Sequence, residues 1–182
     1  MKSDVIIIDN RERGFFDAVE ETNRIAEFCG QSAKDRIQLH MITEEMLSLV
    51  RSVTGEIEAS FWLEYQDNVF ELHMTTRTVM DKEKRYLLIS SSTTRKNEAA
   101  NSFLGRLRDE LERAMASDVV TEYVEAPDNV QKDSFNWYEN DPEWDRYELS
   151  ILRNLADNIR IFIRGQQVHM IIRKKFTSPR SN

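Results

Sequence analysis

The chain has 182 residues, 40% of them hydrophobic and 31% charged, with a formal net charge of −7. That balance excludes a disordered chain, suits one domain with a substantial core, and leaves two domains cramped. The negative charge argues against a nucleic-acid partner, which needs concentrated Lys and Arg, and points towards basic partner proteins.

The single cysteine, Cys29, cannot make an internal disulfide and falls in an apolar helical pattern, so a packed thiol in a reducing cytoplasm is expected. No apolar run approaches the roughly 20 residues that span a bilayer. Met1-Lys2-Ser3-Asp4 lacks the charged and apolar regions of a signal peptide. A cytoplasmic protein with no membrane partner is the expectation.

In chain order, Val5–Ile8 reads as a short strand, either buried on both faces or at a sheet edge. Gly14–Cys29 follows as a helix with Phe15, Val19, Thr22, Ala26 and Cys29 on one face, closed by Gly30. Asp35–Val53 is the strongest helix, with Leu39, Ile42, Met46, Leu49 and Val53 as its stripe and Glu44 and Ser48 on nearly the opposite side. Ser32 and Asp35 form an imperfect capping box, and Gly55 ends the run. Ile57–Leu63 and Phe70–Met74 alternate apolar and polar residues around Gln66-Asp67-Asn68, which predicts an antiparallel hairpin.

Asp81–Arg85 reads as a charged break and Tyr86–Ile89 as another strand. Ser90–Lys96 is polar and flexible in composition, and Asn97–Ser117 is a helix with Leu104, Leu107, Leu111 and Met115 inward. Between Asp118 and Asp145 lie nine carboxylates, one lysine and the aromatics Tyr123, Phe135, Trp137, Tyr138 and Trp144. This composition predicts an irregular surface excursion. Tyr147–Asp157 is helical, and Ile159–Ile163 and Val168–Ile172 form a second hairpin about Gly165-Gln166. Residues 177–182 read as a flexible tail. The expected fold is an α/β (α+β) two-layer sandwich in one domain, residues 1–176. Helices cover one face of a mostly antiparallel, mixed sheet.

This order, the stretch Met41–Ser48 with its following hairpin, and the closing run Leu149–Lys175 together resemble the ATPase fold shared by gyrase and histidine kinases. Within it the chain is most similar to the bacterial anti-sigma-factor serine kinases. The resemblance covers about residues 12–80 and 146–176 and rests on pattern and order. It implies a catalytic glutamate at Glu44. It puts Ser48 where the family holds Mg²⁺ with asparagine, Thr76 where an aspartate reads adenine, and Thr78 and Met80 where glycines admit the nucleotide. The phosphate-side glycines fall at Arg146-Tyr147-Glu148. Serine has a shorter reach to a metal, threonine is no charged acceptor, and a glutamate repels a triphosphate.

These departures together imply a site that no longer binds ATP in the family's way, with no cofactor. The implied function is a regulatory protein-binding module whose partner is a sigma factor, an anti-anti-sigma-like protein or a second copy. The alternative is a divergent ATP-binding serine/threonine kinase or ATPase acting as an anti-sigma factor. It would keep Glu44 as base with Ser48, Thr76 and Thr78 around nucleotide and Mg²⁺. His40, His73 and His169 lack metal-ligand spacing, so boundary positions and no metal are expected. Ser90–Thr94 before Arg95-Lys96 reads as a linker in place of the family's lid, against a phosphate-gripping loop. The aromatics Tyr123, Phe135, Trp137, Tyr138 and Trp144 either anchor a partner or cover the vacated pocket.

Overall fold

The computed structural model describes residues 1–9, 13–54, 58–100 and 151–177. The elements run β1 (Ile6–Ile8), α1 (Arg13–Phe28), α2 (Ala33–Thr54), β2 (Ala59–Gln66), β3 (Val69–Arg77), α3 (Lys82–Ser91), a 3-10 turn (Glu98–Ala100), β4 (Asn158–Arg164) and β5 (Gln167–Lys175). Residues 151–155 are helical as well. The five strands form one open sheet in the order β1-β2-β3-β5-β4, and every strand pairs antiparallel with its neighbours. The expected mixed sheet is therefore corrected. Among the described residues its parallel element shrinks to one isolated bridge, Asn97 with Ile161.

Period-two alternation sets the sheet's sidedness. Phe61, Leu63, Phe70, Leu72, Ile161, Ile163, Val168 and Met170 are at most 1% exposed and form the core face. Onto it pack Ala18, Ile25 and Ala26 of α1 with Leu39, Ile42, Met46, Leu49 and Val50 of α2. Where the two helices meet, Thr22 and Thr43 are fully buried. Each donates its hydroxyl to the carbonyl one turn back, at 2.8 and 2.9 Å, and so brings no unpaired donor into the core.

The turns follow from local chemistry. Gly30 closes α1 at φ +71, a left-handed conformation that glycine adopts without cost. Ser32 accepts from the Asp35 amide at 3.2 Å and donates to its carboxylate at 2.6 Å, which caps α2. Asp67 and Asn68 both have positive φ, 51 and 62, as a two-residue hairpin turn requires.

Gly14 has a different role. A Cβ there would stand 2.3 Å from the Ile7 carbonyl oxygen and 2.8 Å from Ile8 Cα, so α1 begins in backbone contact with β1.

Two stretches differ from expectation. Tyr86–Ile89 is not a strand; it lies within α3, capped by Asp81, whose carboxylate accepts from the Lys84 amide at 2.7 Å. The inward residues of α3 are Arg85, Leu88 and Ser91, a largely polar stripe, so the apolar period of a helix was hidden.

Ser90–Lys96 is likewise not a loose linker. The Thr93 amide donates to the Ile159 carbonyl at 2.9 Å, and its hydroxyl accepts from the Ile159 amide at 2.7 Å. Asn97 repeats the pattern four residues along β4, accepting from the Ile163 amide at 2.8 Å and donating to its carbonyl at 3.0 Å. Among the described residues the outer edge of β4 is thereby met by side chains and not by a sixth strand. The expected helix beyond Ala100, the 118–146 excursion, Gly55 and the tail from 178 lie outside the described residues, and Tyr147–Ser150 with them.

Candidate functional site

Glu44 projects from α2 on the side away from the core, with its side chain 49% exposed. Its Oε1 lies 3.2 Å from His40 Nε2, one helical turn back. The other ring nitrogen of His40 lies 3.0 Å from the side-chain nitrogen of Asn23 on α1. With the Asn23 amide nitrogen at Nδ1, the ring turns Nε2 towards Glu44. The result is a linear Asn23–His40–Glu44 chain across the α1–α2 groove.

Ser48 is half-buried on the same helix. Thr76 sits on the core face of β3, 4% exposed, and donates its hydroxyl to the Glu58 carbonyl at 3.0 Å. Thr78 uses its amide to hold the Gln166 carbonyl in the β4–β5 turn at 2.9 Å. Met80 is packed against the core cluster. Glu44 and Thr76 thus take different partners, one in a solvent-facing groove and one under the sheet. The partner-binding candidates Tyr123, Phe135, Trp137, Tyr138 and Trp144 lie outside the described residues, as do Arg146-Tyr147-Glu148.

A cleft of about 310 Å³ opens between the 92–95 segment and the start of β4, lined by Ser92, Thr93, Arg95, Arg153, Asp157 and Ile159 among others. Two of its charged groups are already engaged. Arg153 donates to the Ser90 carbonyl, and Asp157 accepts from Lys174 Nζ at 3.1 Å and the Lys175 amide at 2.7 Å. This cleft has the character of a braced junction between α3 and the closing hairpin.

The histidines bring the largest departure from the sequence reading. His73 and His169, 96 positions apart, meet on the outer side of the sheet with Nδ1 and Nε2 3.2 Å from each other. They belong to a cluster of rings in which Trp62 faces both histidines, His169 at 5.6 Å and 28°. Trp62 stacks on His73 at 4.9 Å and 7°, His73 on His169 at 5.5 Å, and His169 on Phe162 at 5.7 Å. Burial pushes the His169 pKa down to about 4, and the neighbouring His73 and Arg160 push it the same way. His73 is pushed down by burial, opposed by the carboxylates of Glu64 and Glu71. Both rings are therefore neutral at pH 7, and one donates the shared hydrogen bond.

Nothing in their spacing announces this meeting. The available signal was register: both residues alternate with core residues on strands whose pairing is non-local, Thr75 lying opposite His169. No protein-family model and no curated protein matches the chain.

Proposed function

We propose that this protein is a regulatory protein-binding module of the anti-sigma-factor kinase kind, with a nucleotide site that has lost ATP binding and catalysis. The observation that supports this best is Thr76. It stands where the resemblance calls for an adenine-reading carboxylate, and its hydroxyl is spent on the Glu58 carbonyl beneath the sheet. A lost base contact of this kind is worth about 1–3 kcal/mol. Met80 adds to it, since its side chain is packed against the core where the family pattern has glycine. The expected partner is a sigma factor or an anti-anti-sigma-like protein, and a homodimer is the expected form.

The second reading, a divergent ATP-binding serine/threonine kinase or ATPase, draws on the Asn23–His40–Glu44 chain. A carboxylate held by an oriented imidazole is an arrangement that general-base chemistry uses. Titration calorimetry with ATP and Mg²⁺, and separately with ADP, separates the two. No heat at millimolar nucleotide is the expected result. Micromolar binding that weakens in Glu44→Ala or Ser48→Ala would overturn the proposal in favour of the kinase.

A further inference from the structure

The side of the sheet turned away from α1 and α2 carries no helix among the described elements, and its charge runs against that of the chain. Residues directly opposite in register share a face. Arg77 of β3 is therefore level with Gln167 of β5 and Arg164 of β4, all exposed at one end of the outer face. At the other end Arg173 and Arg160 share the single carboxylate of Glu71, at 4.0 and 3.3 Å. Glu64 is matched by Lys2 at 3.0 Å. Arg77 and Arg164 make no ion pair among the described residues, and they stand two strand spacings apart, about 10 Å. Among the described residues this face, with Glu58 level with Arg77, thus carries more basic side chains than carboxylates, in a chain of net charge −7.

The centre of the same face is the cluster of Trp62, His73, His169 and Phe162. Trp62 faces both histidines and His169 faces Phe162, so these rings spend flat surfaces on one another. Trp62 additionally has the Lys2 ammonium 5.2 Å from its ring centroid. A platform for single-stranded nucleic acid needs ring faces open to the bases. Here ring faces are taken up by neighbouring rings, and His73 and Ile171 are each only 7% exposed. An apolar centre between arginine-bearing ends is the pattern of a protein interface, and arginine forks fit carboxylates in pairs.

We infer that this outer face docks an acidic polypeptide segment. Carboxylates of the partner meet Arg77 and Arg164 at one end and Arg160 and Arg173 at the other, while an apolar side chain rests on the ring cluster between them. The inference rests on the protein-binding reading and does not depend on the nucleotide question.

The test is fluorescence anisotropy of the full chain with a short labelled peptide rich in Asp and Glu around one Leu. A thymidine oligomer of equal charge and a Lys-rich peptide serve as comparisons. At low salt the acidic peptide is expected to bind and the Lys-rich one not. The pair Arg77→Glu with Arg164→Glu is expected to weaken binding at least tenfold, because both side chains are exposed and make no ion pair among the described residues. Lys34→Glu, at the exposed start of α2, is expected to leave binding unchanged. Should the reversed pair prove unfolded by circular dichroism, Arg77→Ser with Arg164→Ser carries the same prediction with a smaller loss.

Tighter binding of the thymidine oligomer would overturn the inference in favour of nucleic acid. Absence of peptide binding at low salt would overturn it outright. Peptide binding that the face variants leave untouched would sink this surface while leaving the protein-binding function standing.

Discussion

His169 is the residue whose chemistry is most altered by its surroundings. Its pKa of about 4 in the folded chain lies below the ordinary value near 6.5, so the unfolded chain binds the extra proton between those two values. The stability that the neutral ring contributes is complete above about pH 6.5 and is lost as pH falls towards 4; His73 adds to the loss in the same direction. We expect thermal melts to be flat from pH 8 to 7 and to fall through the 6.5–5 interval, which lies above the range where ordinary carboxylates titrate. His169→Phe keeps a stacking ring and removes its own titration, and should make that fall shallower, leaving the part due to His73. An undiminished fall in the variant would show that the loss arises elsewhere. No reading of spacing reveals such a residue, because the partner of His169 is 96 positions away and only strand register brings the two together.

Among the elements, the hairpins and the first two helices were legible because each carries its own period and its own stop signal. The 59–66 and 69–77 strands alternate cleanly around Asp67-Asn68, and α2 has an apolar stripe with a cap before it. Helix α3 was not legible. Its inward stripe is polar, and the signal that fixes it is one capping carboxylate at Asp81. Gly14 was legible as a helix start and illegible as a contact, since backbone approach to β1 is a tertiary fact. Its consequence is testable. In Gly14→Ala the new methyl meets β1 backbone rather than a side chain that can turn aside. The start of α1 and β1 must separate, at about 1–3 kcal/mol. Urea unfolding of the variant should show a lower midpoint with an unchanged slope. An unchanged midpoint would mean that β1 yields without cost.

Across the whole molecule, the sequence supported helices over a largely antiparallel sheet, but not the strand order. β3 lies at the centre and pairs with β5 across about a hundred residues, and no local pattern encodes that choice. Nor did composition reveal that Thr93 and Asn97 close the sheet at β4, because side chains there imitate a backbone ladder. In Asn97→Ala the buried amide and carbonyl of Ile163 lose their partners, a loss of about 1–3 kcal/mol. The variant should melt lower and scatter more light on standing, since an uncovered strand edge is a template for another chain. A variant as stable and as monodisperse as the parent would refute the role given to Asn97.

Among the described residues the sheet is closed by side chains at β4 and ends in a short strand at β1, which gives it a polarity of growth. Among the described residues no strand lies beyond β1, a strand of three residues whose Ile7 is 63% exposed. Two copies meeting along that side would use up both available edges at once. The shut β4 sides would then point outwards and accept nothing. Strand addition along the described edges would therefore stop at a two-fold pair, short of open ribbons and fibres.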